Sequence, residues 1–224
     1  MKGIGIIIKN EWLNFIRSDR GVFLVYGILI AVWSIVLASN LHRSAFETNT
    51  LWWIFFSVIV SGTFSNTTFV SERLSGALEI VLTCGLSRAA ILAGKVVFII
   101  CMSVLFGLLC YGCALAEAAM TRFVPTAGMT AGDAAALVAL YLAACYMNAA
   151  CGAWLSIRLG NPRLSHFANL LVLGLIVGTH ALLAAFVLIP AWALPAALVC
   201  MGTLFMLFAL RDFASERVVQ PYAF

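Results

Sequence analysis

Six stretches of this chain, residues 21–39, 51–70, 96–116, 134–157, 167–189 and 191–210, are almost entirely apolar. Each approaches the roughly 20 residues that an α-helix needs to cross about 30 Å of hydrocarbon. A bilayer interior offers no water to the backbone, so a spanning segment must close its hydrogen bonds within itself, as a helix does. The expected fold is an all-α integral membrane bundle of six transmembrane helices, forming one domain over residues 1–224. Hydrophobic residues make up 64% of the chain and charged residues 10%, against about 45–50% and about 25% in soluble domains. An ordinary soluble fold is excluded, because it could not hide that much apolar surface. The sixth span is interrupted: Pro195 stands near its start and leaves only residues 196–210 unbroken, short for a full crossing unless Trp192 and its neighbours join in, because proline inside a helix removes a hydrogen bond and clashes with the preceding turn.

The basic residues orient the bundle. Lys2, Lys9, Arg17, Arg20, Arg73, Arg88, Lys95, Arg158, Arg163, Arg211 and Arg217 fall on one side of the six spans, with Arg43 and Arg122 on the other. Eleven against two places both termini in the cytoplasm, because cytoplasmic loops hold the excess of Lys and Arg. Membrane topology thus accounts for the net charge of +4, and no nucleic-acid surface is needed. The apolar run 4–8 is too short for a signal-peptide core and is followed by Lys9, Asn10 and Glu11, so no cleavable leader is expected. Trp12, Trp52, Trp53, Trp154 and Trp192 near span ends are expected at the bilayer borders.

Two segments stand apart from the spans. Residues 1–20 place Ile4, Ile8, Trp12, Phe15 and Ile16 on one broad helical face, with Lys9, Asn10, Arg17 and Arg20 largely opposite, the pattern of a helix lying in the membrane interface. Residues 71–95, between spans two and three, form the one strongly charged block embedded between apolar segments. There Leu74, Ala77, Leu78, Val81 and Leu82 recur at helical offsets, and Glu72, Gly76 and Glu79 share another face. Ser71 is placed to cap this short helix, Gly85 to end it, and Ser87 to cap the next turn. Arg88 and Lys95 then stand near anionic headgroups or a partner surface.

The order Glu72-Arg73-x-x-Gly76-x-Leu78-Glu79-x-x-Leu82, followed by Ser87-Arg88 and Gly94-Lys95, resembles the signature of type-2 ABC transporter permeases. It is more distantly similar to the B-type haem exporter subunit of cytochrome c maturation. The resemblance implies that residues 1–20 form an elbow helix and that residues 71–95 contain a cytoplasmic coupling helix seated in a groove of an ATP-binding subunit. Glu72, Arg73, Gly76, Leu78, Glu79, Leu82, Arg88 and Lys95 are then the ATPase-coupling residues. It further implies an exporter of a prokaryotic cytoplasmic membrane, a second permease unit forming a homo- or heterodimer, and ATP and Mg bound on the partner chain. Where that family commonly carries Thr-Pro, this chain reads Thr83-Cys84-Gly85, and Gly85 can break the helix as proline would.

Catalytic motifs are absent. The nearest approach to a phosphate-binding loop ends in Gly94-Lys95, with Ala89 where the first glycine is required and Val96 where the hydroxyl is required. No cofactor or metal is expected on this chain, and no ATP hydrolysis by it alone. Asn66, Thr67, Thr68, Asn148 and His180 are candidates for a substrate path, with interhelical hydrogen bonding as their simpler role. Glu117 stands at the outer end of span three, as an exit residue or, more simply, an interfacial charge. Cys101, Cys110, Cys113, Cys145, Cys151 and Cys200 fall inside spans and are expected to act as small apolar side chains. The alternative is a membrane-embedded haem-handling protein or enzyme using His180 or the cysteines. A secondary transporter is disfavoured, because no Asp or Glu lies well inside a span.

Overall fold

The structure, a computed structural model, describes residues 2–17, 20–41, 46–72, 85–120, 131–159, 161–186 and 192–214. Among these the regular structure is helical throughout, with no strand. In chain order the helices are α1 (Lys2–Ile16), α2 (Arg20–Leu41), α3 (Phe46–Ser65, continuing as a π-helical turn Asn66–Ser71), α4 (Arg88–Met120), α5 (Ala131–Leu159), α6 (Pro162–Phe186) and α7 (Ala193–Ala214). Four of them are long and apolar enough to cross a membrane, over Arg88–Glu117, Ala135–Leu159, Arg163–Leu183 and Ala193–Phe213. This is the build of an integral membrane protein. α2 contributes a shorter apolar stretch, Phe23–Ala38.

Local chemistry sets several helix starts. The Ala90 N–H donates to Ser87 Oγ at 3.3 Å, so Ser87 caps α4 as its sequence position predicts. Asn161 caps α6 by accepting from the Arg163 and Leu164 N–H groups at 3.0 and 3.4 Å, with Pro162 in the first helical position, where its missing N–H is not needed. Pro195 does not shorten the sixth apolar stretch. It lies in the first turn of α7, where no earlier carbonyl awaits its N–H, and the helix runs on past Arg211 to Ala214.

α5 is the central helix. It packs on α3, α4, α6 and α7, and its buried face is built from Ala143, Ala144, Ala149, Ala150 and Ala153, small side chains that let neighbouring backbones approach closely. α4 lies against α1 and α2. An aromatic cluster joins these elements: Tyr26 of α2 stacks on Phe64 of α3 at 5.2 Å, and Phe15 of α1 sits 5.6 Å from the same ring. Phe106 of α4 closes it at 4.8 Å from Tyr26. Trp53, at the start of α3, is enclosed by protein. It is buried against Phe56, Tyr111 and Tyr141, because the start of α3 packs between α4 and α5. Trp12 and Trp192 are exposed. On the outside, α6 presents Phe167, Leu171, Leu175 and Leu182, an outward apolar face of the kind lipid accepts.

α1 turns a different face inward from the one its apolar pattern suggests. Ile7 and Glu11 are buried, Ile4, Ile8 and Phe15 are half-buried, and Trp12 and Ile16 are exposed. The reason is a notch in α4: a Cβ at Gly94 would fall 2.9 Å from Ile7 Cβ and 3.4 Å from the Ile4 carbonyl oxygen. Gly94→Val is therefore expected to lift α1 from α4 and destabilise the detergent-purified protein by about 1–3 kcal/mol, the usual cost of overpacking. Gly5→Ala, with nothing within 4 Å of the new carbon, should leave the thermal midpoint unchanged.

Candidate functional site

Where α1, the π-helical turn and α4 meet, a lysine is enclosed. Lys95 is 0% exposed. Its ammonium donates to Glu11 Oε1, to Glu72 Oε2 at 2.6 Å and to the Thr68 carbonyl oxygen at 3.4 Å. An ammonium has three donors and no acceptor, so these three oxygens account for all of them. The Phe69 ring lies 5.9 Å from the nitrogen on a further side, close enough for a cation–π contact. Thr68 and Phe69 both belong to the π-helical turn, an irregularity that often occurs at functional positions.

Each carboxylate comes from a different element. Glu11 is the polar member of the inward stripe of α1 and is 6% exposed, and Glu72 closes the π-helical turn. Two carboxylates share this one ammonium in a poorly solvated place. Burial, the largest cause, and repulsion from Glu72 raise the Glu11 pKa above its ordinary value of 4.5, against the attraction and hydrogen bond of Lys95. Protonation of Glu11 would leave Lys95 and Glu72 as a one-to-one pair.

The sequence-predicted residues divide between this site and others. Glu72 and Lys95 come together in it, with Lys95 enclosed by protein and away from the headgroups and partner surface expected for it. Arg88 is exposed at the first residue of α4. Arg73, Gly76, Leu78, Glu79 and Leu82, together with the expected cap Ser71 as a side chain, lie outside the described residues. Gly85, which closes that segment, has a φ of 72°, the left-handed conformation in which glycine is favoured.

The candidate path residues do not converge. Asn66 lies in the π-helical turn. Thr67 is exposed and donates to the Thr63 and Phe64 carbonyl oxygens at 3.2 and 3.0 Å, the preceding turn of its own helix. Asn148 is buried and donates to Ser57 Oγ at 2.9 Å, tying α5 to α3. His180 is half-buried on α6, and its Nε2 has no hydrogen-bond partner. Glu117 accepts from Ser34 Oγ at 3.0 Å and so ties the outer part of α4 to α2. Cys110 is buried and Cys113 exposed, and both are free thiols. Among the described residues, no three His, Cys, Asp or Glu side chains gather as metal ligands would.

Sequence reasoning missed Glu11 and Asp212, and it singled out Thr68 for its side chain and not for its carbonyl oxygen. A carboxylate interrupting the stripe Ile4, Ile7, Ile8, Phe15 was the available signal for Glu11, since an acidic group on an inward face requires a cation. Thr68 contributes a backbone oxygen, which no side-chain pattern reveals. Asp212 accepts from Arg158 Nε at 2.6 Å and Trp154 Nε1 at 3.0 Å, a second ionic clamp that holds the end of α5 to the end of α7. No known protein family matches the chain, and no curated protein matches it. The loop motif and the layout are thus what carry its family resemblance.

Lys95→Met would leave the buried Glu11 carboxylate without its cation and is expected to destabilise the protein by about 3–5 kcal/mol. Glu11→Gln keeps an acceptor and should be tolerated at neutral pH. The pH dependence follows from the raised pKa. Between 4.5 and the raised value, the folded chain holds a proton that the unfolded chain has released, so stability falls as pH rises through that window. Thermal midpoints measured upward from pH 4.5 should show this decline in the wild type relative to Glu11→Gln. Parallel curves for the two proteins would refute the assignment.

Proposed function

We propose that this chain is the permease subunit of an ATP-driven exporter of the type-2 ABC class, moved by a separate ATPase subunit. The observation that supports it is the position of Lys95. It bonds at once to Glu72, the residue before the charged segment 73–84, and to Glu11 of α1. In this reading α2 to α7 are the six spans, α1 is the interfacial elbow, and segment 73–84 is the coupling region on the cytoplasmic face, where both termini also lie. The membrane is a prokaryotic cytoplasmic membrane.

A segment that seats on an ATPase transmits work only if it contacts the open and closed ATPase dimers differently. Segment 73–84 is joined to the described chain at Glu72 and Gly85, so in this reading a displacement of the segment pulls first on Glu72. Through Lys95 that pull reaches α1 and α4 together. The ion cluster is then the point at which a push from outside becomes a movement of several helices. ATP and Mg belong to the partner, and a second permease unit completes the translocation path.

Affinity purification in mild detergent, with mass spectrometry and an ATPase assay of the product, tests this reading. A nucleotide-binding subunit should co-purify at near-equal amounts and be lost with Glu79→Arg. Gly76→Pro should leave ATP hydrolysis intact while abolishing its stimulation by cargo. A single-chain preparation with no ATPase partner, and above all one carrying bound haem or metal, would overturn it in favour of haem handling or membrane-enzyme chemistry.

A further inference from the structure

A second polar junction lies between α3, α5 and α6. On α3, Gly62 and Ser65 stand one turn apart, and on α6, His166 and Asn169 do the same. Asn148, Gly152 and Ser156 run along one face of α5 at intervals of four. The helices meet through glycine notches. A Cβ at Gly62 would fall 2.5 Å from His166 Nδ1, and one at Gly152 would fall 2.7 Å from Ser65 Oγ and 3.9 Å from Asn169 Nδ2. Gly152 thereby brings Ser65 and Asn169 against α5, and Gly62 brings His166 against α3.

Ser65 and Asn169 are each 1% exposed. Ser65 Oγ, His166 Nδ1, and both Nδ2 and Oδ1 of Asn169 are buried without a hydrogen-bond partner, as is Asn148 Oδ1 one turn along α5. Their surroundings behave otherwise. Ser61 pairs with Ser103 at 2.9 Å, Ser156 with Ser165 at 3.2 Å, and Asn148 Nδ2 with Ser57. Polar groups that serve as glue between helices are paired, and these are not. A buried polar group left unpaired costs about 1–3 kcal/mol, which alanine or leucine at Ser65 and Asn169 would avoid.

The geometry points to this junction as a binding site for a neutral group that both donates and accepts hydrogen bonds, a hydroxyl or a primary amide. The converging groups are hydroxyl, amide and imidazole. Asn169 offers a donor and an acceptor side by side, so an anion would meet Oδ1 and a cation Nδ2, each unfavourably. Lys95 is bound to Glu11, Glu72 and Thr68 and Arg158 to Asp212, while Arg163, one turn before His166, is exposed. As a recognition site for transported cargo, the junction rests on the permease reading. As a binding site it does not.

The test uses the detergent-purified chain and its thermal midpoint, with acetamide and ethylene glycol as neutral probes and sodium acetate and methylammonium chloride as ionic ones, all at equal osmolality. Binding to the folded state raises the midpoint along a saturating curve, whereas a general solute effect stays linear. The neutral probes should give a saturating rise in the wild type, and a Ser65→Ala/Asn169→Leu double variant should lose it. Without probe, the double variant should melt at or above the wild-type midpoint, since the three unpaired atoms of Ser65 and Asn169 are removed and only His166 Nδ1 and Asn148 Oδ1 remain. His166→Gln, a milder change, should weaken the saturating response and keep the fold. Linear shifts common to wild type and variants would overturn the proposal, as would equal responses to ionic probes. So would a sharply lowered midpoint in the unliganded double variant, which would assign these groups to the resting fold. None of these readouts involves an ATPase partner, so failure here and failure of co-purification are separate results.

Discussion

The buried ammonium of Lys95 is the constraint around which one end of this bundle is organised. A lysine far from water is tolerated only with its charge matched and its donors filled, and here that takes Glu11 of α1, Glu72 at the end of the π-helical turn and the Thr68 carbonyl. The requirement fixes more than a pair of side chains. It sets the rotation of α1, which must turn Glu11 inward, and it sets where the chain leaves α3 for the segment that follows Glu72. Gly94, one residue before the lysine, supplies the space in which α1 can lie close enough.

Most of the remaining cohesion is steric. In lipid, apolar surface gains little by leaving its solvent for another helix, so association rests on close packing and on a modest number of interhelical hydrogen bonds. The alanine face of α5 and the notches at Gly62, Gly94 and Gly152 supply the first. Asn148 with Ser57, Ser61 with Ser103, and Tyr141 with the Ser103 carbonyl supply the second. Against that background, among the described residues, ionic contacts stand at Lys95 and at Arg158 with Asp212. Such contacts couple separate elements of the bundle.

The helices were readable because their signals are local. Apolar runs of membrane length, Ser87 before a helix and Gly85 at a left-handed turn each follow from backbone chemistry within a few residues. Pro195 was misjudged on the same ground: in isolation a proline near an apolar run shortens it, whereas in the first turn of a helix it removes nothing the helix uses. Trp53 shows what a local signal leaves open. An aromatic at a span end suits the membrane interface, and only the packing of α3 between α4 and α5 buries it.

By itself the sequence determined that this chain is a bundle of long apolar helices with one charged segment set between them, because hydrogen-bond closure in lipid and basic-residue asymmetry depend on composition along the chain. The tertiary structure decided which polar groups meet. Glu11 and Lys95 are 84 residues apart, and Ser65, Gly152 and Asn169 lie on three different helices. Their proximity depends on how each helix is rotated about its axis, and that rotation is set by glycine notches and buried charge acting between helices, which no periodicity within one helix records.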